Sequence, residues 1–304
     1  MRRRSAIKLI LALAATGGLA AAGFAANRPA AAAAGKAQHL SSYTWKLNQR
    51  WFGGFSALKL SSGGTAMTVL SDRATLVTTR IQRSQGLISG ITARRAHELR
   101  ASTGKTLKGF AGDSEGLAVA ADGSRYISFE GAARVARYQH PGSRANVLPR
   151  PKAFRSLPPN KSLETLAIDS RGRLYTLPER ALDRHGQIPV WRWNGRRWSR
   201  PFSLPPEGGF LPVDADFGPD GRLYLLERDF TLFGFRSRLR RWDITAAGPA
   251  NETVLLQTGS GTHDNLEGLS VWADEIGGLR ATMVSDDNFL PFQRTELVEY
   301  ALPR

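Results

Sequence analysis

The sequence predicts an all-β protein, a β-propeller, on three observations. A unit of about fifty residues recurs along the chain, each unit holds two strand-like runs joined by a glycine-bearing turn, and the runs carry acids at the ends away from that turn. A period of this length suits one four-stranded blade. Five blades are favoured with room for a sixth, and the ring is expected to close by pairing an N-terminal strand with the last blade.

The clearest unit runs from Glu115-Gly116-Leu117 through Asp122-Gly123 to Ser128-Phe129-Glu130. It returns as Glu164-Thr165-Leu166, Arg171-Gly172 and Leu177-Pro178-Glu179, and again as Asp214-Ala215-Asp216, Asp220-Gly221 and Leu226-Glu227. Degenerate copies flank these: Ser56-Ala57-Leu58 with Gly63-Gly64 and Ser71-Asp72, and Glu267-Gly268-Leu269 with Gly277-Gly278 and Ser285-Asp286. The leading acids stand 49, 50 and 53 residues apart from Glu115 to Glu267. Each glycine supplies the positive φ of a two-residue hairpin turn, which makes the two runs antiparallel neighbours. Residues 190–199, rich in Trp, supply outer strands, and their rings are expected to pack between blades. The stretch 74–112 is long enough for two outer strands and a loop, or for a hidden sixth blade. Residues 42–51 are expected to pair with residues 297–302 and remove the open edge.

Residues 1–34 differ from the rest. Arg2, Arg3, Arg4 and Lys8 precede an apolar, Ala/Gly-rich run that ends in small residues, the pattern of a cleaved export signal, with Arg3-Arg4 suggesting the twin-arginine type. Residues 35–304 then form a single propeller domain, periplasmic or secreted, with no transmembrane segment. The chain has no Cys, so stability comes from the core, ring closure or bound metal. Net charge is +16, and discounting the five basic residues of 1–34, which include Arg28, leaves +11, which favours a small anionic substrate. Nucleic acid is set aside because the basic residues are spread singly; the denser stretches 192–200 and 236–241 read as solvated strand faces. A monomer is expected.

In a propeller, residues at equivalent places in each blade meet at the same radius. Glu115, Glu164, Asp214 and Glu267 lead the first strand of four blades, and Asp72, Glu130, Glu179, Glu227 and Asp286 close the second strand of five. So many carboxylates about one axis raise one another's pKa unless a cation compensates. Calcium, which takes six to eight oxygens, is the expected divalent metal, held by Glu164, Asp214, Asp286 and Asp72; Asn265, Asp287 and Asn288 add ligands of the same type. The five His lack a zinc spacing. Arg73, Arg180 and Arg228 each follow an acid and are expected, with Glu130, Glu179 and Glu227, to line the substrate site. Glu115 or Glu267 would act as general base in hydrolysis of a phosphate ester. A structural alternative is that the acids cap strands and bond backbone N–H groups of the next blade, leaving a non-catalytic binding propeller of the cell envelope for an acidic ligand or a protein.

On Gly53 to Leu58 with Leu70 to Arg73, Asp113 to Ala118, Leu163 to Ala167, Pro212 to Ala215 with Pro219 to Arg228, and Asp264 to Trp272 with Val284 to Phe289, the chain resembles the family described as esterase-like activity of phytase. The resemblance implies a phosphatase- or esterase-type hydrolase with acidic site residues. The Gly-x-Ser-x-Gly string at Gly112 to Gly116 leads into the strand-like run from Glu115 and not into a helix, so it lacks the strand-to-helix context of a serine-esterase elbow.

Overall fold

Short runs of alternating apolar and polar residues between glycine turns dictate strands, and strands so brief bury enough surface only when sheets stack. The computed structural model describes residues 35–158 and 162–303. Residues 1–34, where the export leader is expected, lie outside them. The strand β1 (Gln38–Thr44) is followed by blade one, with β2 (Phe55–Leu60), β3 (Ala66–Ser71), β4 (Thr75–Ser84) and β5 (Leu87–Glu98). Blade two holds β6 (Ser114–Val119), β7 (Arg125–Phe129), β8 (Arg134–Tyr138) and β9 (Asn146–Val147). Blade three holds β10 (Ala167–Ile168), β11 (Leu174–Thr176), β12 (Ile188–Trp193) and β13 (Trp198–Leu204). Blade four holds β14 (Leu211–Phe217), β15 (Leu223–Thr231), β16 (Gly234–Thr245) and β17 (Gly248–Gln257). Blade five holds β18 (Leu266–Ala273), β19 (Leu279–Ser285) and β20 (Glu296–Ala301), completed by β1. The molecule is a five-bladed propeller of antiparallel four-stranded sheets. Residues 74–112 are β4, β5 and a loop, so no sixth blade hides there.

Closure occurs as anticipated, with a strand that begins and ends earlier than expected: Gln38 to Thr44 pair with Ala301 to Glu296, so residues 42–44 of the expected 42–51 lie in the closing strand. Trp45 N still donates to Thr295 O at 2.9 Å, and its buried ring stacks on Phe55 at 5.3 Å. The first-to-last seam is also locked by Arg83, whose Nη1 and Nη2 donate to Glu299 of blade five at 2.8 and 2.7 Å.

The apolar core is divided into five clusters, one at each seam between blades. The inner strands bury both faces, and each fully buried Leu or Phe contributes about 1.5–3 kcal/mol, so stability is spread around the ring. Trp191, Trp193 and Tyr175 lie in these seams. The inner hairpin turns are one residue longer than expected. In blades two to five the loop is three residues closed by a left-handed Gly, as where Gly123 N donates to Ala120 O and Ala120 N to Ser124 O. In blade one four residues intervene, Ser61 N bonding Ala66 O. No helix among the described residues is long and apolar enough to cross a membrane.

Candidate functional site

The inner strand of every blade starts at one end of the ring, turns at the other, and returns as the second strand, so both sets of acids lie at one mouth. Each inner strand is irregular at its start. The pairing slips at Ser56 between Phe55 and Ala57, within residues 115–116 of blade two, at Val213 between Pro212 and Asp214, and at Glu267 between Leu266 and Gly268. In blade three the slip falls between the Leu163–Pro178 bridge and the Ala167–Tyr175 pair, a stretch that includes Glu164. Such bulges leave one residue unpaired and re-aim its side chain. Gly116 and Gly268 sit beside the bulged acids because a Cβ there would fall 2.5 Å from Leu166 N and 2.9 Å from Ala57 Cα of the next blade.

Taking the slip as the common reference, equivalent positions are Ser56 and Asp72, Glu115 and Glu130, Glu164 and Glu179, Val213 and Arg228, and Glu267 and Asp286. Blade four is therefore one residue out of step. Asp214 is paired with Leu226, beyond the bulge, and its carboxylate accepts from Leu269 N at 2.7 Å and from Ala215 N at 2.8 Å. It does what the structural alternative describes, binding the backbone of the next blade. Its expected place among the metal ligands is corrected accordingly. Glu227 is turned away and fully buried with two guanidinium groups, accepting from Arg238 Nε at 2.7 Å and Arg240 Nε at 2.8 Å. Its expected substrate role is corrected for the same reason. Residues 236–241 are likewise not a solvated face, since Arg238 and Arg240 are buried around that acid.

The other acids converge. One oxygen each from Asp113, Glu115 and Glu130 lie within 4.8 Å of one another, as do oxygens of Glu130, Glu164 and Glu179. Asp113 escaped sequence reasoning, although its place two residues before Glu115 puts it on the same side of an extended chain. Burial, and then the charges of Glu164, Asp113, Glu130 and Glu267, hold the Glu115 carboxyl well above its ordinary range. Glu164 is raised in the same way by burial and then by Glu130 and Glu179. Asp286 is raised by burial, then by Glu267 and Asp72. Glu130 is raised by burial despite a hydrogen bond shared with Glu164.

Arg228 is the cation of this ring. Its Nη1 donates to Asn265 Oδ1 at 2.6 Å and to Glu267 Oε1, and its Nη2 stands 3.6 Å from Glu179 Oε1. Burial would lower its pKa, and the surrounding acids, Glu267, Glu179, Glu164 and Asp286, outweigh that and raise it. Arg180 donates from Nε to Glu179 at 2.9 Å with nearly half its side chain exposed. Arg73 lies 3.1 Å over the Phe289 ring. Asp287 is engaged by Gly54 N, Phe289 N and Thr295 Oγ1. Asn288 N donates to Asp286 Oδ1 at 2.6 Å. Deeper in the ring, Lys59 of blade one reaches Asp216 of blade four at 2.6 Å, bracing non-adjacent blades.

The buried carboxylates can hold a metal ion, and the donor set is oxygen throughout, as a hard dication requires. Comparison with known proteins places this arrangement. A match to the family described as Phytase-like, esterase-like activity of phytase, extends over residues 50–289, which includes every ring residue. The chain belongs to the phytase-like family. Curated protein sequences contain no match to it. Among solved structures, this phytase-like chain is similar to Kuenenia stuttgartiensis hydrazine synthase, at 14% identity and a TM-score of 0.42. That likeness covers 82% of the chain and spans 61% of the hydrazine synthase chain. It is similar also to the PQQ-bound aldose sugar dehydrogenase of Streptomyces coelicolor, at 13% identity, covering 89% and 99% of the two chains with a TM-score of 0.46. With an α-L-arabinofuranosidase of Podospora anserina in complex with cellotriose the identity is 11%, the coverage 86% and 94%, and the TM-score 0.53. At these identities the likeness is one of fold.

Proposed function

We propose that the phytase-like chain is an exported, metal-dependent hydrolase of phosphate esters. The observation that carries this reading is the crowding of Asp113, Glu115, Glu130, Glu164 and Glu179 at one mouth of the ring, where several carboxyls are raised by burial and by each other. Such a set is relieved by a divalent cation, with calcium the natural choice for an all-oxygen site. When bound, a dication there stabilises charge on phosphoryl oxygens and lowers the pKa of water. The chain's own residues divide the remaining work. Arg228 binds a phosphoryl oxygen, and Glu267 and Asn265, which already hold its Nη1, orient it. Glu115 exchanges a proton with the reacting oxygen, a role suited to a carboxyl whose pKa is raised by burial and by neighbouring acids. Arg180, largely exposed beside Glu179, meets the substrate at the rim.

Two measurements test this. Thermal melting with EDTA and then with calcium should show a rise, since ligand at a hundred times its Kd adds about 2.7 kcal/mol. Hydrolysis of p-nitrophenyl phosphate, bis-p-nitrophenyl phosphate and p-nitrophenyl acetate should fall on phosphate substrates by about 10²-fold or more in Glu115→Gln. Melting indifferent to metal together with unchanged hydrolysis would sink the proposal. The hydrogen bond between Glu130 and Glu164, which lets two acids share a proton, favours in that event a rigid binding propeller. Export is read from residues 1–34, and the N-terminal sequence of protein recovered outside the cytoplasm should begin beyond that leader.

A further inference from the structure

The described residues expose nine large apolar side chains, and six of them, Phe110, Leu182, Leu232, Phe233 and Phe292 on loops and Phe230 near the end of β15, stand at the mouth where the carboxylates converge. A random scatter would not favour one end, so these six call for a cause. Leu232 and Phe233 are 95% and 85% exposed at the tip of the β15–β16 hairpin. That hairpin stays paired from Arg228, the ring residue, to Thr231, so its tip stands about 10 Å above the ring at ~3.4 Å per residue. Exposed cations stand at the same mouth: Lys108 beside Phe110 and Arg184 beside Leu182 on shared loops, and Lys46 and Arg50 on the connection after β1. The ring acids lie buried beneath this rim.

We propose that this end of the propeller docks on an anionic phospholipid bilayer, the apolar tips entering the headgroup layer and the cations meeting lipid phosphates. The tips are spread over four separate connections, three of them on the β15–β16 hairpin, instead of forming one flat patch. A protein partner would need a matching rigid relief, whereas a fluid bilayer conforms to isolated protrusions of this kind. Charge complementarity decides the lipid: the +11 carried by residues 35–304 and the rim cations favour an anionic leaflet, each basic residue near the surface adding attraction that salt screens. Docking in this orientation turns the carboxylate ring toward the headgroups.

The test is flotation of the leader-free protein with vesicles of phosphatidylglycerol and phosphatidylcholine, against vesicles of phosphatidylcholine alone. Binding to the anionic vesicles is expected to be at least about ten-fold tighter, and to weaken with salt. The double substitution Leu232→Ser with Phe233→Ser should weaken it by at least about ten-fold while melting temperature and hydrolysis of soluble bis-p-nitrophenyl phosphate stay as in the parent. Ile276→Ser, on an exposed turn at the opposite end, should leave binding intact. Failure of the parent to float with anionic vesicles, a double variant that binds as well as the parent, or an equal loss in Ile276→Ser would each overturn the docking surface. Soluble hydrolysis reads the ring separately: its absence in a parent that floats refutes the catalytic reading and leaves the docking surface standing.

Discussion

Glu227 illustrates how one carboxylate can carry the composition of a site and serve another purpose. It sits with no exposure between Arg238 and Arg240, and each guanidinium has a second acid, Glu207 for Arg238 and Glu252 for Arg240. Removing one partner of such a buried set leaves charge uncompensated, at a typical cost of about 3–5 kcal/mol. The second acids soften this, so Glu227→Gln should lose about 3 kcal/mol, or roughly 10 °C in Tm at ~2–4 °C per kcal/mol. Hydrolysis per folded molecule should not change. A Tm within about 2 °C of the parent would show that the cluster contributes little. Arg228 carries the opposite lesson: in the chain it follows Glu227 and is expected beside it at the site, and in the fold it belongs to Glu267, Asn265 and Glu179. Nothing in the dipeptide distinguishes the two, because successive residues of a strand face opposite ways.

Among the elements, the inner hairpins were the most legible. Their glycines mark the turns, and the backbone there is left-handed, with φ of 73° at Gly172 and 63° at Gly64. The two differ in surroundings. A Cβ at Gly172 meets nothing, so Gly172→Ala should cost about 1 kcal/mol, the penalty of the conformation alone. At Gly64 it would come within 2.4 Å of the buried Trp272 ring, so Gly64→Ala should cost about 3 kcal/mol once overpacking is added. Chemical denaturation of both variants checks this, and equal losses would contradict the crowding at Trp272. The bulges were not legible. Glu-Gly-Leu marks two of them, but Val213 has no such signature, and its slip moves Asp214 out of the ring. The closing strand was readable as an event and misplaced by several residues, because its bounds are set by pairing with the last strand and not by local propensity.

For the whole molecule the carboxylate ring links stability to pH and metal. Glu115, Glu164, Glu130 and Asp286 are all raised in the fold, first by burial and then by the acids around each. A carboxyl raised in the folded state binds more protons there than in the unfolded chain. Its stabilising contribution is full below the ordinary carboxylate range and is lost as pH rises toward the folded value. Metal-free protein should therefore melt at progressively lower temperature from about pH 5 to about pH 8, and saturating calcium should flatten that slope. A metal-free Tm that is level or rising over this interval would contradict the crowding. The brace from Lys59 to Asp216 and the Arg83–Glu299 lock belong to the same whole, since each joins blades far apart in sequence.

The amino-acid sequence alone determined the repeat, the hairpins, the blade number it favoured and the identity of most ring acids, because periodicity and turn chemistry are local properties that recur visibly. Tertiary structure decided which acids reach the axis. A single unpaired residue at the start of each inner strand sets the facing of everything beside it, and only the packing of neighbouring blades determines where that residue falls.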